Sequence, residues 1–280
     1  MQRSVTGNRR PTDVYFFATC LVDLFCPEAG IDAITLIERE GVRVHFPKDQ
    51  TCCGQPAYTS GFADQARAVA LTQMQLFPND WPVVVPSGSC AGIIRHHYPK
   101  LFADDPPLKA QADALAERVF ELSEFLLNVL QVRWKDSGPP TTVTLHTSCA
   151  ARREMGTHEH ARALLAQLPG VTLALQAHES ECCGFGGTFS LKHPSISSAM
   201  AGDKADALKE TGAEAFLSAD CGCMLNINHT LQKRGDPFQG RHLASFLRER
   251  LAALRQEHLH GLRQGDQDVH SQGQALLRQP

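Results

Sequence analysis

VYFFATC (Val14–Cys20), TCCGQPAYTSGF (Thr51–Phe62) and VVVPSGSCAG (Val83–Gly92) are followed, later in the same chain, by TVTLHTSC (Thr142–Cys149), ECCGFGGTF (Glu181–Phe189) and AFLSADCGC (Ala215–Cys223). The order is the same in both sets, and so is the spacing. Between Cys20 and Cys52 lie 31 residues, and between Cys149 and Cys182 lie 32. From Cys53 to Cys90 there are 36 intervening residues, and from Cys183 to Cys221 there are 37. Unrelated cysteines do not repeat in order, spacing and glycine context together. The chain therefore reads as an internal duplication with an offset of about 130 residues.

The residues between the cysteines set the expected architecture. Val14–Phe17, β-branched and aromatic, reads as a buried strand ending before Cys20. Ile34, Leu36 and Ile37 fall near helical spacing in the segment 31–39, which Gly41 can stop. Val42, Val44 and Phe46 alternate with polar residues as a second strand, closed by Pro47. The Ala-rich 62–77 reads as a helix, and Val83–Val85 as a third strand that leads to Cys90. The second set gives strands at 143–145, 171–175 and 215–218, with helices at 160–168 and 198–209. Alternating strand and helix implies parallel strands with helical crossovers. The expected fold class is α/β, two tandem duplicated units with parallel sheets. Each cysteine group then falls past the carboxyl end of a strand, the edge where open parallel sheets bind ligands.

Similar segments, 121–130 and 242–251, read as closing amphipathic helices, and Lys135–Pro140 as a linker. The expected units are residues 12–135 and 140–254, followed by a polar tail, 255–280, expected to be disordered.

A hydrophobic fraction of 42% and a charged fraction of 20% are ordinary for a protein with a packed core. A formal charge of −3 gives no electrostatic reason to bind nucleic acid. No apolar run approaches the roughly 18 residues of a membrane span, and the N-terminal stretch lacks the apolar length of a signal peptide. A soluble cytoplasmic protein is the expectation.

Ten cysteines then call for metal or redox chemistry, because a reducing cytosol does not keep structural disulfides. Isolated thiols are often just small buried hydrophobes, and Cys26, which has no counterpart in the second set, reads that way. Packing alone does not demand thiols at three strand ends twice over. Soft thiolates select iron–sulfur clusters or zinc. Zinc knuckles use two thiolates separated by a few residues, which the first set lacks. Adjacent thiolates such as Cys52-Cys53 suit a cluster with several metal atoms, so iron–sulfur is favoured, with zinc in one repeat as the alternative.

The pattern of Cys, about thirty residues, Cys-Cys-Gly, about thirty-five residues and a late Cys resembles the cysteine-rich CCG domain. That domain occurs twice in the B subunit of heterodisulfide reductase and in iron–sulfur subunits of glycolate and glycerol-3-phosphate oxidation systems. CCGQPAY (Cys52–Tyr58), PSGSCAG (Pro86–Gly92) and CCGFGGTFS (Cys182–Ser190) are similar to signatures of the lactate-utilisation protein A group. The likeness covers roughly residues 12–250. It implies one iron–sulfur cluster per repeat, of the 4Fe–4S type. The ligands it implies are Cys20, Cys52, Cys53 and Cys90, then Cys149, Cys182, Cys183 and either Cys221 or Cys223. Aligning PSGSC with ADCGC matches Cys223 to Cys90. Neither repeat ends in the C-x-x-C of the heterodisulfide reductase type. The resemblance further implies an electron-transfer subunit for oxidation of L-lactate to pyruvate, not catalytic alone. Its implied partners are a ferredoxin-like iron–sulfur subunit and a third small subunit, with a small 2-hydroxy acid as substrate of the complex. A heterodisulfide-reductase-like or glycolate-oxidase subunit, or a zinc-stabilised binding module, is the alternative.

Gly54, Gly184, Gly186 and Gly187 are expected to let backbone approach a cluster and offer amide donors. His146 is expected to donate a hydrogen bond to a cluster sulfur, with an ordinary strand-end histidine as the competing account. Arg152 and Arg153 would offset thiolate charge or simply start a solvated helix. GFGGTF is not a dinucleotide fingerprint, since Phe189 stands at the third glycine position. The additional late cysteine of the second repeat would give its cluster more thiolate charge and so the lower reduction potential.

Overall fold

The computed structural model describes residues 10–251, so the tail expected beyond 255 lies outside the described residues. The first unit contains strands β1 (Asp13–Phe16), β2 (Arg43–His45), β3 (Val83–Val85) and β4 (Val119–Glu121). They form one parallel sheet in the order β2-β1-β3-β4. The second unit repeats this with β5 (Thr141–Leu145), β6 (Val171–Ala174), β7 (Ala215–Ser218) and β8 (Gly240–His242), in the order β6-β5-β7-β8. The expected pair of parallel α/β units is what the chain forms.

In this order the chain leaves β1 toward one side to make β2, then returns across to make β3. The crevice of such a sheet opens where the strand order reverses, between β1 and β3 and equally between β5 and β7. Cys20 follows β1 and Cys90 follows β3, so the topology places both at that crevice.

The helices lie close to their expected positions, at Pro27–Glu38, Ala63–Met74, Thr157–Leu165 and Pro194–Lys209. Pro27 and Pro194 each sit in a first turn, where a missing N–H costs nothing. The closing segments differ from expectation at their starts. Glu121 and His242 end strands β4 and β8, and the helix begins one residue later in each. Both residues then cap that helix. Glu121 accepts from Ser123 N at 2.8 Å and Glu124 N at 3.3 Å, and His242 Nδ1 accepts from Ala244 N at 3.2 Å.

One apolar cluster joins the units. Phe16, Phe120 and Phe125 from the first pack with Leu145, Leu217 and Leu247 from the second. Each such side chain contributes roughly 1.5–3 kcal/mol on burial, enough in sum to hold two units of this size together. The linker is anchored as well. Arg250 pairs with Asp136 at 2.6 Å, both almost fully buried, and Ser137 Oγ donates to the Arg250 carbonyl at 2.7 Å.

Candidate metal centres

In the first unit Thr19 turns the chain out of β1. It has a φ of 70°, strained for a residue with a branched side chain, and its Oγ1 accepts from Val22 N at 3.4 Å. Cys20 thereby opens the helix Cys20–Phe25. The Cys-Cys-Gly loop is pinned to the same strand end by Gln50. Its Nε2 donates to Phe16 O at 3.1 Å, and its Oε1 accepts from Ala18 N at 2.8 Å. Tyr98 Oη donates to Cys53 O at 2.9 Å from the segment that follows Cys90.

These constraints bring four sulfurs together. Cys52 is hydrogen-bonded to Cys20 and to Cys53, and Cys53 in turn to Cys90. The hydrogen bonds from Cys20 and Cys53, with a weaker one from the Gly54 amide, pull the Cys52 thiol down to about 3. Cys20 and Cys53 are pushed up by the same hydrogen bonds to Cys52, and then by burial. Cys52 is thus the thiolate, the metal-seeking form of the side chain, between Cys20 and Cys53, whose protons a soft cation would displace.

The second unit reproduces the arrangement with different residues in support. Ser148 replaces Thr19, its Oγ accepting from Ala151 N at 3.1 Å. Gln176 Nε2 donates to Leu145 O at 2.7 Å, the carbonyl equivalent to that of Phe16. Cys182 is hydrogen-bonded to Cys149 and Cys183, and Cys183 to Cys223. Cys182 is pulled down by its two thiol neighbours, while Cys149 and Cys183 are pushed up by their bonds to it. Gly54 N and Gly184 N each donate to the first sulfur of their pair at 3.4 Å. Gly184 has a φ of 78°, and a Cβ there would lie 2.6 Å from Ser197 O, so no other residue fits.

Of the two late cysteines in the second repeat, Cys223 joins the set. Cys221 turns the other way and is hydrogen-bonded to Cys26 of the first repeat. Cys221 is thus not among the sulfurs gathered with Cys149, Cys182 and Cys183. The intervening Gly222 lies under the Phe185 ring, 2.3 Å from where a Cβ would be, and this contact orients the two cysteines. Cys26, expected to be an isolated apolar thiol, is buried and has Cys221 as its partner.

Gly186 and Gly187 lie in the turn that follows the second Cys-Cys-Gly. A Cβ on Gly186 would meet Phe189, and Gly187 lies near Pro56 of the first repeat. Ser60 and Thr188, at 2.7 Å, bring the two Cys-Cys-Gly loops together. Arg152 pairs with Glu179 at 2.6 Å, and Arg153 is exposed. His146 is buried at 1% exposure at the end of β5, and neither ring nitrogen has a partner. Burial, with Lys204 adding to it, drives its pKa down to about 4, so the ring is neutral.

Sequence reasoning missed Lys204. It is buried in the helix Pro194–Lys209, donates to Gln176 Oε1 at 3.2 Å and to His178 O, and its charge is felt by Cys182 and Cys183. It stands where Gln73 stands in the first repeat, since Gly54 meets Ala66 and Val69 while Gly184 meets Ser197 and Met200. A lysine in an Ala-rich helix carries no signal of burial until that register is known.

The donor set fits a soft metal centre in each unit. Four sulfurs converge, backbone amides face two of them, and in the second unit an orphaned buried imidazole lies beside the sulfurs. Among the described residues no helix is long and apolar enough to cross a membrane.

The family described as Cysteine-rich domain matches residues 14–95 and 143–228. Lactate utilization protein A of Shouchella clausii (strain KSM-K16) is 40% identical over 235 residues, 84% of this chain and 98% of that protein. The Bacillus subtilis (strain 168) protein of the same name is 40% identical over 237 residues, 85% of this chain and 99% of the other. Among solved structures, a hypothetical protein from Helicobacter pylori superposes with a TM-score of 0.62 at 9% identity. The match covers 90% of this chain and 50% of that one, and indicates a shared fold alone. With two copies of the domain and relatives matched over nearly their whole length, this chain belongs to the Cysteine-rich domain family, among homologues of lactate utilization protein A.

Proposed function

We propose that this chain is the iron–sulfur electron-transfer subunit of a multi-component system that oxidises L-lactate to pyruvate. The observation that carries the reading is the pair of four-thiol sets, each gathered at the switch point of its own sheet. Cys20, Cys52, Cys53 and Cys90 would hold one cluster, and Cys149, Cys182, Cys183 and Cys223 the other. Clusters of this kind, when bound, accept and release single electrons. The chain itself aims the Gly54 and Gly184 amides at the first sulfur of each pair and fixes the spacing between centres. Removing a hydride from a 2-hydroxy acid needs an acceptor, and neither a Walker A motif nor a dinucleotide fingerprint occurs in the sequence. Partners therefore supply that step, in our reading a ferredoxin-like iron–sulfur subunit and a third small subunit in the cytoplasm.

The name of the relatives supports a role in lactate utilisation. The test is anaerobic purification of the chain alone and with its genomic neighbours. Iron and acid-labile sulfide in the chain alone, with lactate-dependent reduction only in the complex, is the expected result. Reduction by lactate in the chain alone, or a colourless zinc-containing preparation, would sink the proposal. Zinc in the second centre has one observation in its favour, the grouping of His146 with Cys183 and Cys223.

A further inference from the structure

Phe17 and His146 occupy the same position in the two repeats, three residues before Cys20 and Cys149. Phe17 is fully buried among Phe77, Val83 and Val85, as an apolar strand end should be. His146 is equally buried, yet Nδ1 and Nε2 both lack a hydrogen-bond partner. A neutral imidazole has one donor and one acceptor to satisfy. Leaving either unmade in the interior costs the full desolvation of that group, so a histidine held this way calls for a partner other than protein. One of its ring nitrogens, Cys183 Sγ and Cys223 Sγ all lie within 4.8 Å of one another. That spacing lets a single metal atom touch all three, since metal–nitrogen and metal–sulfur bonds run to about 2.0–2.3 Å.

We infer that His146 is itself a metal ligand, which makes the second centre a mixed thiolate–imidazole site while the first, with Phe17 in that position, is bound through thiolates. The inference rests on the reading that the two sulfur sets hold metal. A hydrogen bond from His146 to a sulfur would satisfy one nitrogen and leave the other orphaned. A metal bond would use the ring lone pair, which no donor of the protein meets. Imidazole suits both iron and zinc. On an iron cluster His146 would be a neutral donor beside the four thiolates and add no negative charge, while the Lys204 cation beside Cys182 and Cys183 raises the reduction potential. The repeats thus differ in donor chemistry at the strand end, where their sequences are otherwise parallel.

The experiment uses the full chain purified anaerobically, with natural-abundance and 15N-labelled histidine, and compares it with His146→Phe and His146→Gln. His146→Phe installs the residue that the first repeat carries. The first centre's own signal, retained in both variants, shows that they fold. Pulsed electron paramagnetic resonance of the reduced wild type should show the coupling of a directly bound nitrogen, changed by the isotope and lost in both variants. If the second centre holds zinc, zinc-edge X-ray absorption should show a nitrogen at about 2.0–2.1 Å, lost likewise. That result would refute the iron–sulfur reading there and leave the His146 assignment standing. A wild-type second centre with metal but without bound nitrogen would overturn the assignment. So would a nitrogen signal that survives in His146→Phe. A chain that binds neither metal would overturn both readings.

Discussion

Ser87 Oγ donates a hydrogen bond to Asp220 Oδ1 at 2.8 Å, and the two residues hold the same position in the two repeats. Each lies three residues before a late cysteine, Cys90 or Cys223, so this bond joins the repeats at their pseudo-equivalent loops. Asp220 Oδ1 also accepts from Ser89 N at 3.0 Å, and nearby His242 Nε2 donates to Pro86 O at 3.1 Å. The two strand ends that bear Cys90 and Cys223 are thus fixed relative to each other by buried polar contacts. Spacing between the centres is set here.

Asp220→Ala should therefore destabilise the fold by about 1–3 kcal/mol, because the Ser89 N–H would lose its acceptor and Ser87 Oγ would keep only Ser89 Oγ at 3.3 Å. Asp220→Asn keeps an acceptor oxygen and should recover most of that loss. Urea unfolding midpoints of the three proteins give the comparison. Equal midpoints would mean that the inter-repeat contact is idle.

Cysteine substitutions should divide the late residues sharply. Cys223→Ser should remove the metal of the second centre and spare the first, and Cys90→Ser should do the reverse. Cys26→Ser and Cys221→Ser should leave metal content nearly intact, since these two thiols bond each other across the repeat boundary. Metal analysis of the four variants decides it. Loss of a whole centre in Cys221→Ser would return that residue to the ligand set.

The second centre should titrate at the higher potential, the reverse of what an additional thiolate would give. Lys204 is the local cause, because a buried cation favours the more negative, reduced state. Lys204→Gln, which copies Gln73 of the first repeat, should lower that potential by on the order of 60 mV, a tenfold change for a one-electron couple. A redox titration followed by electron paramagnetic resonance would show it. An unchanged potential would mean that solvent or Glu181 already neutralises the lysine.

Stability should fall as pH rises, through Glu121. Burial raises its pKa from 4.5 to about 8, against the opposing hydrogen bonds from Ser123 and Glu124. Below the unfolded value both states hold the proton, and the full stability is present. Between 4.5 and about 8 the folded chain keeps a proton that the unfolded chain has released, so stability declines with pH across that window. The decline is on the order of a few kcal/mol. Glu121→Gln should flatten the slope between about pH 5 and about pH 8 in urea unfolding. An identical slope in the variant would assign the pH dependence to other groups.

By itself the sequence determined the duplication, the parallel α/β class and three strands of each sheet. These are written in local periodicity and in the spacing of the cysteines, which residues 14–92 and 142–223 carry without reference to the rest of the chain. The fourth strands, β4 and β8, were not legible. Val119–Glu121 and Gly240–His242 are three residues each and run straight into helices, and short strands owe their existence to a neighbour that supplies hydrogen bonds. The same holds for the finer structure of the site. Whether Cys221 or Cys223 faces the other sulfurs depends on which way the start of the helix Cys221–Lys233 is turned, and Phe185 packed over Gly222 settles that from a distant part of the chain. That Cys26 meets Cys221, that Lys204 is buried beside Cys182, and that His146 has no protein partner are likewise facts about residues far apart in sequence. Periodicity assigns a residue to an element and a face, while side-chain partners are chosen by the packing of one unit against the other.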